Sequence, residues 1–71
     1  MTVLINNIDG VLELDLLQTR LFGSKIYVDV EVSADKNKTL EESHRIEHVI
    51  HDEIEERFNN VKHCMVHVNP K

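Results

Sequence analysis

The side chains able to do chemistry in this 71-residue sequence are five histidines, one cysteine and thirteen carboxylates. His44, His48 and His51 stand at i, i+4 and i+7. At about 100° per residue, that spacing lines them along one strip of a helix. An i, i+4 histidine pair is well spaced for a single metal ion, while a row of half-exposed boundary histidines with no ligand would look the same. A second set is scattered along the chain. His67 and Asn69 leave the last predicted strand on one side, Glu31 leaves an earlier strand on the matching side, and Asp15 lies on the first strand, with His44 near the start of the helix. Asp, Glu and neutral His all bind divalent first-row ions, so Asp15, Glu31, His44, His67 and Asn69 form a candidate metal site if the fold gathers them. If it does not, they are solvated strand ends.

Catalysis finds little support, and no enzyme is expected. Cys64 has His63 and His67 close by in sequence, but its strand parity matches Val66 and Val68, which turns it toward the core. Ser24 and Ser43 lack a recognisable His-Asp arrangement. The only two glycines, Gly10 and Gly23, are too far apart for a phosphate-cradling loop. A chain this short also has difficulty enclosing a substrate pocket.

Those side chains must be positioned by a single small domain, expected over 1-71. Domains of this size commonly lean on a disulfide, a metal or a second chain. One cysteine excludes an internal disulfide and suits a reducing compartment. The net charge of −5 argues against nucleic acid and against an anionic membrane surface. No run approaches the roughly 18 to 20 apolar residues that span a bilayer, and the start has no signal-peptide pattern.

The pattern predicts partial helix, strand, strand, helix, strand. Val3, Leu4, Ile5 and Ile8 suit the end of a first helix, truncated here, before an Asp9-Gly10 turn. Val11 to Leu21 carries an alternation of Val11, Glu13 and Asp15 against Leu12, Leu14 and Leu16. Lys25 to Ser33 is the clearest strand, with Ile26, Val28, Val30 and Val32 facing one way and Tyr27, Asp29 and Glu31 the other. Ala34 to Lys38 reads as a loop. Thr39 and Glu42 form a capping box, and Leu40, Ser43, Ile46, Ile50, Ile54 and Phe58 recur as one buried helical stripe up to Asn59-Asn60. Val61 to Asn69 is the last strand, with Val66 and Val68 opposed to Met65 and His67. These elements predict an α+β domain, a three-stranded sheet with helices on one face. The other face, mixed in character, is left for a second chain or a metal.

Four segments carry a resemblance. Asp15-Leu16-Leu17-Gln18-Thr19-Arg20-Leu21-Phe22-Gly23 resembles the H-D-L-R-x-R-x-x-G segment of cation diffusion facilitators. Gly23 to Val32 is similar to their G-S-K-x-x-V-D-x-H-x-x-V strand, Thr39 to His44 to their S-L-x-x-A-H helix start, and Val66-His67-Val68-Asn69-Pro70 to their closing V-H-x-(D/E)-P. The order holds from Ile8 to Pro70. The resemblance implies the cytosolic C-terminal domain of a divalent-metal transporter, without its transmembrane part, at the cytoplasmic face of the cell membrane. It implies a ferredoxin-like, metallochaperone-like α-β-β-α-β fold. It also implies a homodimer that binds metal at or near its interface and thereby regulates the membrane domain. Zinc is the first expectation for the ion.

His67 and His44 match family metal-binding histidines. Asp15 and Glu31 stand where many members have histidine, and Asn69 where an acid is frequent before proline. That oxygen-rich set shifts preference toward manganese or iron(II). Ions shared between two acidic chains would cancel charge and cross-link them, and protons would compete for the imidazoles as pH falls. The alternative is a purely structural dimerisation domain with no working metal site. A soluble metallochaperone is disfavoured, since the cysteine pair used for soft copper is missing.

Overall fold

The computed structural model describes residues 1–71, which form α1 (Thr2–Asn6), β1 (Glu13–Phe22), β2 (Lys25–Ala34), α2 (Leu40–Arg57) and β3 (Val61–Pro70). The strands make one sheet in the order β1-β2-β3. β1 pairs antiparallel with β2 through a two-residue turn, in which Gly23 takes φ 63°. A positive φ at the first turn position matches the twist of the paired strands, and glycine reaches it without steric cost. β3 pairs parallel with β2, which requires a crossover, and α2 supplies it.

Why β2 is central follows from its composition. Val28, Val30 and Val32 alternate along it, each at most 1% exposed, and β-branched side chains fit a pleated, covered surface. Ile46, Ile50 and Ile54 descend one side of α2 and are fully buried over those valines. Burial of such side chains stabilises by about 1.5–3 kcal/mol each. Ile5 of the short α1 is also fully buried in this cluster. Both helices therefore cover the same sheet face, as the pattern predicts, and the five-residue α1 is held by packing rather than by its own propensity.

The chain enters β1 through Gly10, at φ 97°, where an added Cβ would sit 3.0 Å from Ile46 Cδ1. Glycine is required there both by conformation and by the close approach of α2. Arg45 on α2 ties the same junction by donating to the carbonyl of Asp9 at 3.2 Å.

Several local expectations are corrected. The Thr39 hydroxyl does cap α2, accepting from the Glu42 amide at 3.2 Å. The reciprocal half of the box is absent, because Glu42 pairs with Arg45 instead. Leu40 is 72% exposed and is no part of the buried stripe, since it lies at the first residue of the helix, before the turn that meets the sheet. Ala34 is the buried end of β2 rather than the start of a loop. In β1 the simple alternation fails at Asp15. Leu14 pairs with Val32 and Leu16 with Glu31, so Asp15 is the extra residue of a β-bulge and every later side chain changes face.

Candidate metal centre

The helix-free face of the sheet carries most of the expected site. Register pairs Glu31 with His67 and Ser33 with Asn69 on adjacent strands, and all four residues share the parity that points away from the helices. The bulge brings Asp15 to the same end. Its Oδ2 accepts from Ser33 Oγ at 2.5 Å and from Asn69 Nδ2 at 3.4 Å. The same Asn69 amide donates to Glu31 Oε1 at 3.2 Å. One amide thus joins two carboxylates that sit on different strands. The Ser33 hydroxyl, aided by Asn69 and Lys71 and opposed by burial, holds the Asp15 carboxyl below the usual carboxylate value. Lys71 lies beside the cluster, paired with Glu13, and that partner raises its own pKa.

Asp15, Glu31, His67 and Asn69 are therefore gathered at one end of one face, while His44 is not with them. It lies exposed across the sheet, in a groove lined also by Ala34, Lys36, Ser43, Val68 and Pro70. The separation follows from α2 packing on the covered face. Ser33, Glu13 and Lys71 were not among the sequence candidates. Ser33 could have been found, because it continues the period-2 series Tyr27, Asp29, Glu31. Glu13 and Lys71 meet only because the sheet brings together positions at opposite ends of the chain.

The other histidines lie elsewhere. His48 and His51 line a shallow groove with Glu47 and Val66 beside β3. His51 is within 3.5 Å of Glu55 and 3.7 Å of Asp52. His63 lies against Tyr27, with ring centroids 5.9 Å apart, and Tyr27 in turn lies 4.8 Å from Phe22. Phe22, Tyr27 and Met65 are 57%, 39% and 45% exposed, so the second end of the open face carries large apolar side chains, interleaved with Arg20, Lys25 and Asp29. Cys64 faces the core, and burial, followed by nearby Glu55 and Asp29, pushes its thiol up to about 11. A protonated, enclosed thiol is neither a nucleophile nor a ready ligand.

The donor set fits a divalent ion in chemistry. Two carboxylates, an amide carbonyl and an imidazole suit a first-row ion that prefers oxygen. The fit is incomplete within one chain, where no three His, Cys, Asp or Glu side chains converge on a common point. Water or a second copy would have to complete the coordination.

Comparison with known proteins shows the family and the fold. The family described as "Cation efflux protein, cytoplasmic domain" matches residues 1–71. The manganese efflux system protein MneP of Bacillus subtilis (strain 168) is 34% identical over 62 residues, which is 87% of this chain and 21% of MneP. The chain thus spans about a fifth of the length of that relative. Among solved structures, MamM-CTD superposes with a TM-score of 0.91 at 18% identity, covering 99% of this chain and 89% of that one. A nickel form of a MamM-CTD variant gives 0.91 at 17%, with coverage of 99% and 89%. A cadmium form of another gives 0.91 at 17%, with 99% and 88%. These likenesses establish the ferredoxin-like α-β-β-α-β fold. The chain belongs to the cation efflux protein cytoplasmic domains, the C-terminal domains of cation diffusion facilitators.

Proposed function

We propose that this cation efflux cytoplasmic domain is the dimerising and metal-sensing regulatory module of a divalent-metal efflux transporter. Residues 1-71 act as one domain on the cytoplasmic side, beside the transporter's own membrane-embedded part. No helix here is long and apolar enough to cross a membrane. Two copies pair through their helix-free sheet faces. Support for that pairing comes from Phe22, Tyr27 and Met65, large side chains left open on a face that no helix of the same chain covers. Aromatic residues and methionine are enriched at interfaces of this kind.

In each copy Asp15, Glu31, His67 and Asn69 supply ligands, while His44, across the sheet from them, takes no part in this site. The observation that carries the reading is the gathering of those four side chains on the same open face as the exposed Phe22, Tyr27 and Met65. Zinc was the first expectation from the family resemblance. The oxygen-rich set favours manganese or iron(II), and the name of the 34% identical relative, a manganese efflux protein, points the same way. The bound ion cancels carboxylate charge and cross-links the two chains, so that metal stabilises the closed dimer by mass action. The domain performs no catalysis in this scheme.

The second reading, a structural clamp without a working metal site, is favoured by one observation. The Asn69 amide already joins the carboxylates, and no three acidic or imidazole ligands converge. Calorimetric titration with manganese and zinc, alongside sedimentation, separates the two. Saturable manganese binding that tightens the dimer and is lost in His67→Ala is the expected result. A stable dimer that binds neither ion would sink the sensor and leave the clamp.

A further inference from the structure

We infer that Asn69 is an internal substitute for the metal ion, an amide latch that joins Asp15 to Glu31 in the metal-free chain and must turn over before an ion can bind. This inference rests on the metal-sensing reading above and specifies how the site is regulated.

The argument begins with hydrogen-bonding capacity. Ionised carboxylates only accept, whereas an asparagine amide carries two N–H donors on nitrogen and an acceptor on oxygen. Facing Asp15 Oδ2 at 3.4 Å and Glu31 Oε1 at 3.2 Å, residue 69 must therefore present its nitrogen. A divalent cation placed between the same carboxylates would do the same work by charge. It could not coexist with that amide orientation, because N–H hydrogens point at the space it would fill. Rotation of the amide by half a turn reverses the situation and offers Oδ1, an oxygen ligand that hard divalent ions accept.

Two consequences follow. The metal-free chain does not leave its carboxylates facing each other without a donor, so the latch stabilises the open-face end before any ion arrives. Metal binding must first break the Asn69 hydrogen bonds, which lowers affinity relative to an acid at that position. Residue 69 thus sets the metal concentration at which the site responds. Ser33 donates to Asp15 from the neighbouring strand through a contact that does not involve the amide. That contact can hold Asp15 aimed independently of how residue 69 is turned.

The test compares wild type, Asn69→Asp and Asn69→Ala by thermal unfolding in chelator and by manganese titration. In chelator, Asn69→Asp replaces a donor with a third carboxylate and should melt lower by roughly 5 °C. Its manganese affinity should rise about tenfold, and saturating manganese should lift its melting temperature by more than it lifts that of wild type. Asn69→Ala should lose chelator-state stability without any gain in affinity, which separates loss of the latch from gain of a ligand. If chelated Asn69→Asp melts with wild type, the latch is overturned, whatever the metal does. If it melts lower but neither protein binds manganese, the latch stands and the sensor reading beneath it falls.

Discussion

Along β2, Val28, Val30 and Val32 face the helices and are shut off from water, while their neighbours Tyr27, Asp29 and Glu31 face away from any helix of the chain. The covered face is apolar and continuous, from Ile5 through Ile46, Ile50 and Ile54 to Cys64. The open face is divided, with Phe22, Tyr27, His63 and Met65 at one end and Asp15, Glu31, Ser33, His67 and Asn69 at the other. Stability resides on the first face, and the proposed pairing and metal binding would use the second. The difference is physical. Apolar burial is strong and insensitive to the exact partner, whereas hydrogen-bonded carboxylates respond to every added charge.

The comparison breaks most visibly if a covered-face change alters metal response while leaving the fold intact. Ile50→Ala, at a fully buried position, should cost about 2–5 kcal/mol in urea unfolding. Any loss of metal binding in that variant should disappear under conditions that restore folding. A smaller effect sharpens the contrast from the other side. Phe22→Ala on the open face should change the unfolding free energy of the dilute monomer by less than about 1 kcal/mol. The same substitution should weaken dimerisation about tenfold in sedimentation equilibrium. If unfolding suffers and dimerisation does not, the open face is not the interface.

The smallest expected effect concerns Asp15. Its carboxyl is held below the usual value chiefly by Ser33, so its ionised form is favoured by folding. The corresponding stabilisation is present above the ordinary aspartate value of 3.8 and is lost as pH falls through the lower native one. In Ser33→Ala, an NMR titration should show the Asp15 carboxyl moving back up toward that ordinary value. The acid-unfolding curves of the two proteins should then converge at the lowest pH. A titration unchanged by Ser33→Ala would mean that Asn69 and Lys71 suffice to hold the charge.

Much of this organisation was legible in residue order. The K-I-Y-V-D-V-E-V-S run identifies β2 and both of its faces, because alternation is a local property that one strand displays by itself. The isoleucine spacing identifies α2 for the same reason, and Thr39 marks its start. The parity of Cys64 with Val66 and Val68 places the thiol in the core. The failures share a cause too. Leu40 obeys the helical period yet lies too near the helix start to reach the sheet, a matter of where the two elements cross. Glu42 had two available partners, the backbone and Arg45, and local pattern does not choose between them.

By itself, then, the sequence determined the α-β-β-α-β order, the family, the valine-rich strand and the side of the sheet on which Glu31, His67 and Asn69 project. Tertiary structure alone decided the bulge that delivers Asp15, the exclusion of His44 to the far side of the sheet, and the amide bridge from Asn69 to two strands. Periodicity is fixed by neighbours one or two peptide units away. Register between strands, and hence the meeting of Asp15 with residues 18 and 54 positions further along the chain, is fixed only when the whole sheet closes beneath its helices.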